Sequence, residues 1–444
     1  MTATSVRYGV PYFTAQQQER DAMTATSAPE PSKPSTASGP ARMEALDGLR
    51  GYFLVFMLLN HLSLQYGYLL VKFNHNQLAF VEDAPGFVFL SGLLIGMVYT
   101  GKMLRKGLTG AGAMMWRRAG ELFVYSSACI LTVLLLAWLV PHASHAWDPW
   151  LGRLNDGGHA YILAALALLY QPTYMDILPQ YIVYLLAAPP LLWLCVHRKW
   201  HWVAVASLVL WLSVQLGLAI PVKEGMNQAL GTLHEGMALR GEFNMLAWQI
   251  VFMGGMVLGT LTAQGAIDWG RVFSPRRSWL LKLALGLLAF FTALKLSLTF
   301  GLLPQAVLDR VFPYIDRPEF SAIYLLNFVA LACAVAWLML AGPSSDNVVA
   351  RRTGAVLNGL FRLRFLRLLG RHSLQVYAWH VIVVYLIAAY DRHAGPLPEL
   401  TKNLIAVGAV ASLALPALYR EWRAAERPLA PKPVLSRASA EAAG

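Results

Sequence analysis

The sequence is short of charge, of cysteine and of acidic residues. Only 14% of its 444 residues are Asp, Glu, Lys or Arg, where soluble domains average about 25%. A water-soluble globular fold is thereby excluded. The three cysteines, Cys129, Cys195 and Cys333, all fall within apolar runs. An odd number so placed excludes a disulfide framework or a thiolate metal set, and leaves thiols that pack in a core. The histidines are scattered, as in "HAWDPW", without metal-ligand spacing, so no metal is expected. No glycine-rich phosphate loop stands between a strand and a helix. The first 42 residues lack the apolar segment of a signal peptide.

Apolar length is what the chain has in abundance. Hydrophobic residues make up 57% of it, and the mean hydropathy is +0.49. Several runs reach about 20 residues, enough to cross a bilayer as a helix. We expect an all-α, polytopic integral membrane protein with about ten transmembrane helices in one bundle. The expected spans are 50–70, 84–100, 119–140, 178–196, 202–220, 244–266, 279–300, 322–342, 374–392 and 402–419. Residues 1–42, which include "TSAPEPSKPSTASGP", and residues 421–444 read as disordered tails around a membrane domain at 43–420.

The net charge is +12, from 36 Lys and Arg against 24 Asp and Glu. The excess sits in short loops. It therefore reads as an orientation signal and an attraction to lipid headgroups, with no nucleic-acid partner. The run "HAYILAALALLY" (159–170) is short for a crossing. If it does not cross, "KMLRK", "WRRAG", "HRKWHW", "GRVFSPRRSWLLK" and "RRTGAVLNGLFRLRFLRLLGR" all fall on one side. That is the reading we take. Both termini are cytoplasmic, the membrane is the bacterial inner membrane, and 159–177 forms a hairpin or partial helix.

The stretch "LDGLRGYFLVFMLLNHLSLQ" (46–65) places Asp47, Arg50, Asn60 and His61 in an apolar run. At about 100° per residue, Arg50 and His61 lie within about 20° of one another on a helix, with a rise of about 16 Å between them. Asp47 shares that face to within about 40°. With Arg50 at the cytoplasmic boundary, His61 falls near the middle of an approximately 30 Å hydrocarbon core. An ionisable residue there marks a functional site. The plain alternative is a neutral His bonded to a neighbouring helix. His accepts a proton near neutral pH, and Arg grips phosphate or carboxylate. Together they suit acyl transfer from a coenzyme A thioester.

This arrangement resembles the membrane acyltransferase family 3, whose first span carries Arg, ten residues and His. "GFVFLSGLLIG" (86–96) and "LGRHSLQVYAWH" (369–380) are similar to two later motifs of that family. The chain resembles the OpgC family more specifically over about residues 43–400. The resemblance lies in "ALDGLRGYFLVFMLLNHL", "FNHNQLAFVEDAPGFVFLSGLLIGMVY", "LLYQPTYMDILPQYIVYLLAAPPLLWL" and "LRGEFNMLAWQIVFMGGMVLG". It implies O-succinylation of osmoregulated periplasmic glucans, with succinyl-CoA or another acyl-CoA as donor. The family's first-span Arg and His fall on Arg50 and His61, and its late-span Tyr and His on Tyr377 and His380. Where many members carry Glu in "VExxFYLLxP", this chain has Gln180. A carboxylate needed there would have to come from Asp176, Glu82 or Asp83.

Other polar groups complete the expected site. "KFNHNQLAFVEDAPG" (72–86) offers His75, Asn76, Glu82 and Asp83, and either carboxylate could orient His61 as in other acyl-transfer sites. A solvated loop is the bland reading. "YQPTYMDILPQYIVY" (170–184) reads as a cap with Tyr174 and Asp176, since aromatic faces stack on sugars, or as an interfacial aromatic belt. Arg240 could hold a free succinyl carboxylate or pair with Glu242. Tyr377 and His380, three residues apart, share a helix face. "SGLLIG" and "GGMVLG" are small-residue patterns for close helix approach. The expected partners are a periplasmic glucan, acyl-CoA and membrane lipids, and a homo-oligomer remains open. An acetyltransferase for another envelope glycan and a proton-coupled transporter or flippase are the rival readings, the latter without the paired repeats of many transporters.

Overall fold

The computed structural model describes residues 40–77, 79–156 and 158–426. The expected tails lie outside the described residues except at their inner ends, which are helical. The first helix, α1, runs Pro40–His61, and the last reaches Ala425. The remaining helices used below are α2 (Asp83–Leu139), α3 (Ala143–Leu151), α4 (Gly158–Leu166), α5 (Ile177–Val196), α6 (Trp200–Gln215), α7 (Ile220–Leu233), α8 (Met245–Ala263), α9 (Ser278–Thr299), α10 (Ala322–Leu340), α11 (Val348–Leu360), α12 (Arg364–Arg371), α13 (Ser373–Ala394), α14 (Glu399–Ser412) and α15 (Ala414–Ala425). Among the described residues there is no strand, only one isolated bridge between Tyr170 and Arg240.

The all-α membrane fold is as the composition requires, since only helices and closed barrels satisfy their backbone in lipid. Among the described residues, seven helices are long and apolar enough to cross a bilayer, or eight if the bent pair α6–α7 is one span. The expected ten are not reached by that measure. Two of them, 84–100 and 119–140, fall within the 57-residue α2, broken at Gly107. There φ is 66°, a conformation that glycine adopts without penalty. The first expected span, 50–70, ends early because α1 stops at His61. The run at 159–170 yields only the nine-residue α4, about 14 Å long at 1.5 Å per residue and too short to cross.

Two close crossings fix the frame around the site. Gly92 and Gly96 on α2 face Gly255 and Gly259 on α8. A methyl group on Gly92 would overlap the Phe252 carbonyl, and one on Gly259 the Leu93 carbonyl. "SGLLIG" and "GGMVLG" are therefore partners in one contact, backbone against backbone. The second crossing sets α1 against α12 and the turn before it. Side chains at Gly48, Gly51 and Gly370 would overlap the carbonyls of Phe361, Leu366 and Asp47 respectively. This contact brings Arg50 to Ser373, whose Oγ accepts from Nη2 at 2.6 Å, and Glu44 to Arg367.

Candidate active site

His61 is the last residue of α1, and the chain beyond it is irregular. Left-handed backbone at Tyr66 (φ 64°) and Gly67 (φ 69°) turns it away from the helix. Non-helical backbone at membrane depth persists only where protein satisfies it. Here Gln65 N–H donates to Asp391 Oδ2 at 2.9 Å, and the buried Lys402 ammonium donates to the carbonyls of Gln65 and Gly67. Leu62, Leu64 and Tyr68 are buried beneath.

The His61 ring is held on an edge and on a face. Its Nδ1 lies 3.2 Å from His380 Nε2. The Tyr174 ring stacks on it at 4.2 Å, with the planes 27° apart. Tyr174 itself has φ 71°, a conformation costing a non-glycine residue about 1–3 kcal/mol. The surroundings hold it there. Tyr377 Oη donates to the Tyr174 carbonyl at 2.8 Å, and Trp150 packs edge-on at 5.2 Å.

His61 opens onto a cavity of about 310 Å³ that Asn60, Asn76, Glu82, Asp83, Tyr174 and Asp176 also line. Asn60 donates to Asp83 Oδ2 at 2.5 Å and accepts from Asn74 at 2.7 Å. His75 Nε2 sits 3.3 Å from Asp83 Oδ1, out of line for a hydrogen bond. Burial, then the charge of Lys295, pushes the His75 imidazole down to about 4, so it is neutral at pH 7 and the contact is not an ion pair. In the same lining, Arg317 Nε donates to Glu82 at 2.6 Å and Nη1 to Glu242 at 3.1 Å, with the guanidinium over the Phe243 ring. Burial alone would lower the Arg317 pKa, but Glu82 and Glu242 outweigh it and hold it above its ordinary value. Asp176 Oδ2 accepts the Glu242 N–H at 3.0 Å, and burial pushes its carboxyl up to about 6.

A second, apolar cavity of about 10 Å³ is walled by Phe87, Ser91, Ile177, Tyr181 and Phe252 among others, and it shares Ile177 with the first. The Arg50 guanidinium lies 5.7 Å from the Phe87 ring centre, and the Tyr377 ring stacks near Phe87 at 6.5 Å.

Several expected residues are therefore together: Asn60, His61, Asn76, Glu82, Asp83, Tyr174 and Asp176 in the wall, with His75, Tyr377 and His380 directly behind it. Others stand elsewhere. Asp47 and Arg50 lie at the α1–α12 crossing, outside the cavity. Gln180 is 2% exposed and donates to the Phe243 carbonyl at 3.1 Å. Arg240 neither reaches the cavity nor pairs with Glu242. It donates to Tyr170 Oη at 3.1 Å and to the Pro149 and Trp150 carbonyls, tying the cap to α3. The Glu242 partner is Arg317, which no spacing in "YIDRPEF" singles out in the sequence. The hydrogen bond we expected a carboxylate to make to His61 comes from His380 instead.

Among curated proteins and solved structures, nothing matches the chain. The family described as OpgC protein matches residues 42–425, nearly the whole helical region that carries these cavities, and the chain belongs to that family.

Proposed function

We propose that this protein is a membrane O-acyltransferase that moves a succinyl group from cytoplasmic succinyl-CoA to hydroxyl groups of periplasmic glucans, with His61 as general base. Membership of the OpgC family supports a glucan-modifying acyltransferase in broad terms. The observation that carries the finer reading is the His61 ring itself: a restrained imidazole facing a polar cavity of about 310 Å³ inside an apolar helical protein. The cavity wall suits a polyol, with amide and carboxylate groups from Asn60, Asn76, Glu82 and Asp83 and the ring of Phe243.

In the proposed step His61 Nε2 takes the proton of a glucan hydroxyl as its oxygen attacks the thioester carbon. The oxyanion that forms is stabilised by hydroxyl donors of the cap, Thr173 or Tyr174. The intermediate collapses, the C–S bond breaks, and the coenzyme A thiolate takes the proton back from His61. The products are an O-succinyl glucan and free coenzyme A. Arg50, next to the narrow apolar cavity, would hold an anionic part of the donor. Glu82, Asp83, Asp176 and Gln180 are assigned here to holding the acceptor and the cap, with Asp47 as the neighbour that positions Arg50.

Mass spectrometry of glucans from cells with and without the gene tests the reading. We expect succinate esters only when the wild-type gene is present. A His61→Ala protein that inserts normally should reduce ester formation by about 10²- to 10⁴-fold, the usual range for losing a general base. Acetate esters would replace succinyl-CoA by another donor, and unmodified glucans in both strains would end the acyltransferase reading. An active His61→Ala variant would remove His61 from the mechanism.

A further inference from the structure

We propose that His380 is a positioning residue that sets the tautomer of His61, leaving Nε2 as the atom that receives the proton. The consequence for catalysis rests on the acyltransferase reading, but the tautomer itself does not. The argument follows a chain of three polar groups. It begins at the Tyr377 carbonyl, which can only accept. His380 Nδ1 bonds to it within their shared helix α13, so Nδ1 carries hydrogen. His380 is fully buried and makes no hydrogen bond to a carboxylate among the described residues. An unpaired buried charge is costly, so the ring is neutral. A neutral imidazole has one N–H, and His380 Nε2 is therefore an acceptor. Nδ1 of His61, 3.2 Å away, must donate to it. The lone pair of His61 is then at Nε2, which has no hydrogen-bond partner among the described residues and is not sealed from space.

The usual way to fix a catalytic imidazole is a carboxylate at Nδ1. Four carboxylates line the same cavity, yet their hydrogen bonds and ion pairs run elsewhere. Glu82 and Glu242 serve Arg317, Asp83 serves Asn60 and Asn76, and Asp176 serves the Glu242 N–H. A neutral orienting group has a specific effect. It selects one tautomer without placing a negative charge beside His61. The stacked Tyr174 ring then restricts rotation about the remaining axis.

The test has two arms. In the full-length wild-type protein, reconstituted in lipid with ¹⁵N-labelled histidine at pH 7, nitrogen chemical shifts report which ring atom bears hydrogen. His61 is assigned by loss of its signals in His61→Ala. We expect hydrogen at Nδ1 of both His61 and His380. Hydrogen at Nε2 of His61 overturns the proposal, whatever the enzyme does. The second arm compares His380→Leu with His380→Gln, whose Oε1 stands the same number of bonds from the backbone as Nε2 and can accept from His61. Leu should lower kcat by about 10²- to 10⁴-fold with donor KM nearly unchanged, and Gln should recover at least a tenfold part of that loss. A fully active Leu variant, or a Gln variant as inactive as Leu at equal melting temperature, overturns it. If the wild type transfers no acyl group, the functional reading fails while the nitrogen shifts still decide the tautomer.

Discussion

Asp176 shows how one buried side chain can be read as a pH response. It is 5% exposed at the N-terminal edge of α5, and burial pushes its carboxyl from 3.8 up to about 6. A raised acid holds its proton more tightly in the folded state than in the unfolded chain. Its stabilising effect is therefore full below about pH 4 and is lost as pH rises through about 6. Asp176→Asn keeps an acceptor for the Glu242 N–H and has no charge to bury. We expect the variant to be more stable than wild type at pH 7, by up to about 3 kcal/mol at 1.36 kcal/mol per unit. The gap in melting temperature should close near pH 4. A gap of constant size would show that burial of charge is not its cause. At this scale the sequence was informative about residue type and blind to pairing. An apolar run that ends in "NH" marks Asn60 and His61. The contact that holds His61 spans 319 residues of chain and leaves no local trace. Arg240 and Arg317 both stand in polar loops among aromatics, and no spacing rule tells the one that bonds Tyr170 and the end of α3 from the one that lines the cavity.

Helices meet at glycine where backbones touch. On α8, Gly254 and Gly255 are neighbours in sequence and opposites in space. A methyl at Gly255 would overlap the Phe89 carbonyl on α2, while one at Gly254 meets nothing within 4 Å. Gly255→Ala should therefore cost about 1–3 kcal/mol, the range for forcing a methyl into a packed contact. Gly254→Ala should be neutral or slightly stabilising, since alanine is the better helix former. Thermal melting in detergent compares the two. Equal melting temperatures would mean that the α2–α8 contact is looser than described. Both small-residue patterns were visible in the sequence, but the fact that each faces the other was not. The end of α1 was hidden for a different reason. "LSLQYGYLL" continues the apolar run, so hydropathy extends the span to residue 70. The helix stops because Asp391 and Lys402, more than 300 residues away, offer the backbone other partners.

At the scale of the whole molecule, the proposed reaction needs a donor and an acceptor to meet at one imidazole. In that proposal the polar cavity takes the acceptor. Arg50 stands beside Phe87, a wall residue of the small apolar cavity that shares Ile177 with it. That cavity, about 10 Å³, has room for about one water and none for a pantetheine arm. Passage of a thioester there requires its walls to part, and Ser91, 3% exposed, is its one small wall residue apart from Val88. Ser91→Leu adds bulk where the arm would lie without touching His61 or the acceptor wall. If the donor takes this route, the variant should raise donor KM about tenfold or more, the equivalent of about 1.4 kcal/mol. The glucan KM should stay within about twofold, since uniform loss of donor binding leaves the acceptor term alone. The melting temperature serves as the control for overpacking. Unchanged donor KM in a folded Ser91→Leu protein would mean that the thioester reaches His61 by another path, and that the closeness of Arg50 to this cavity reflects the α1–α12 crossing alone.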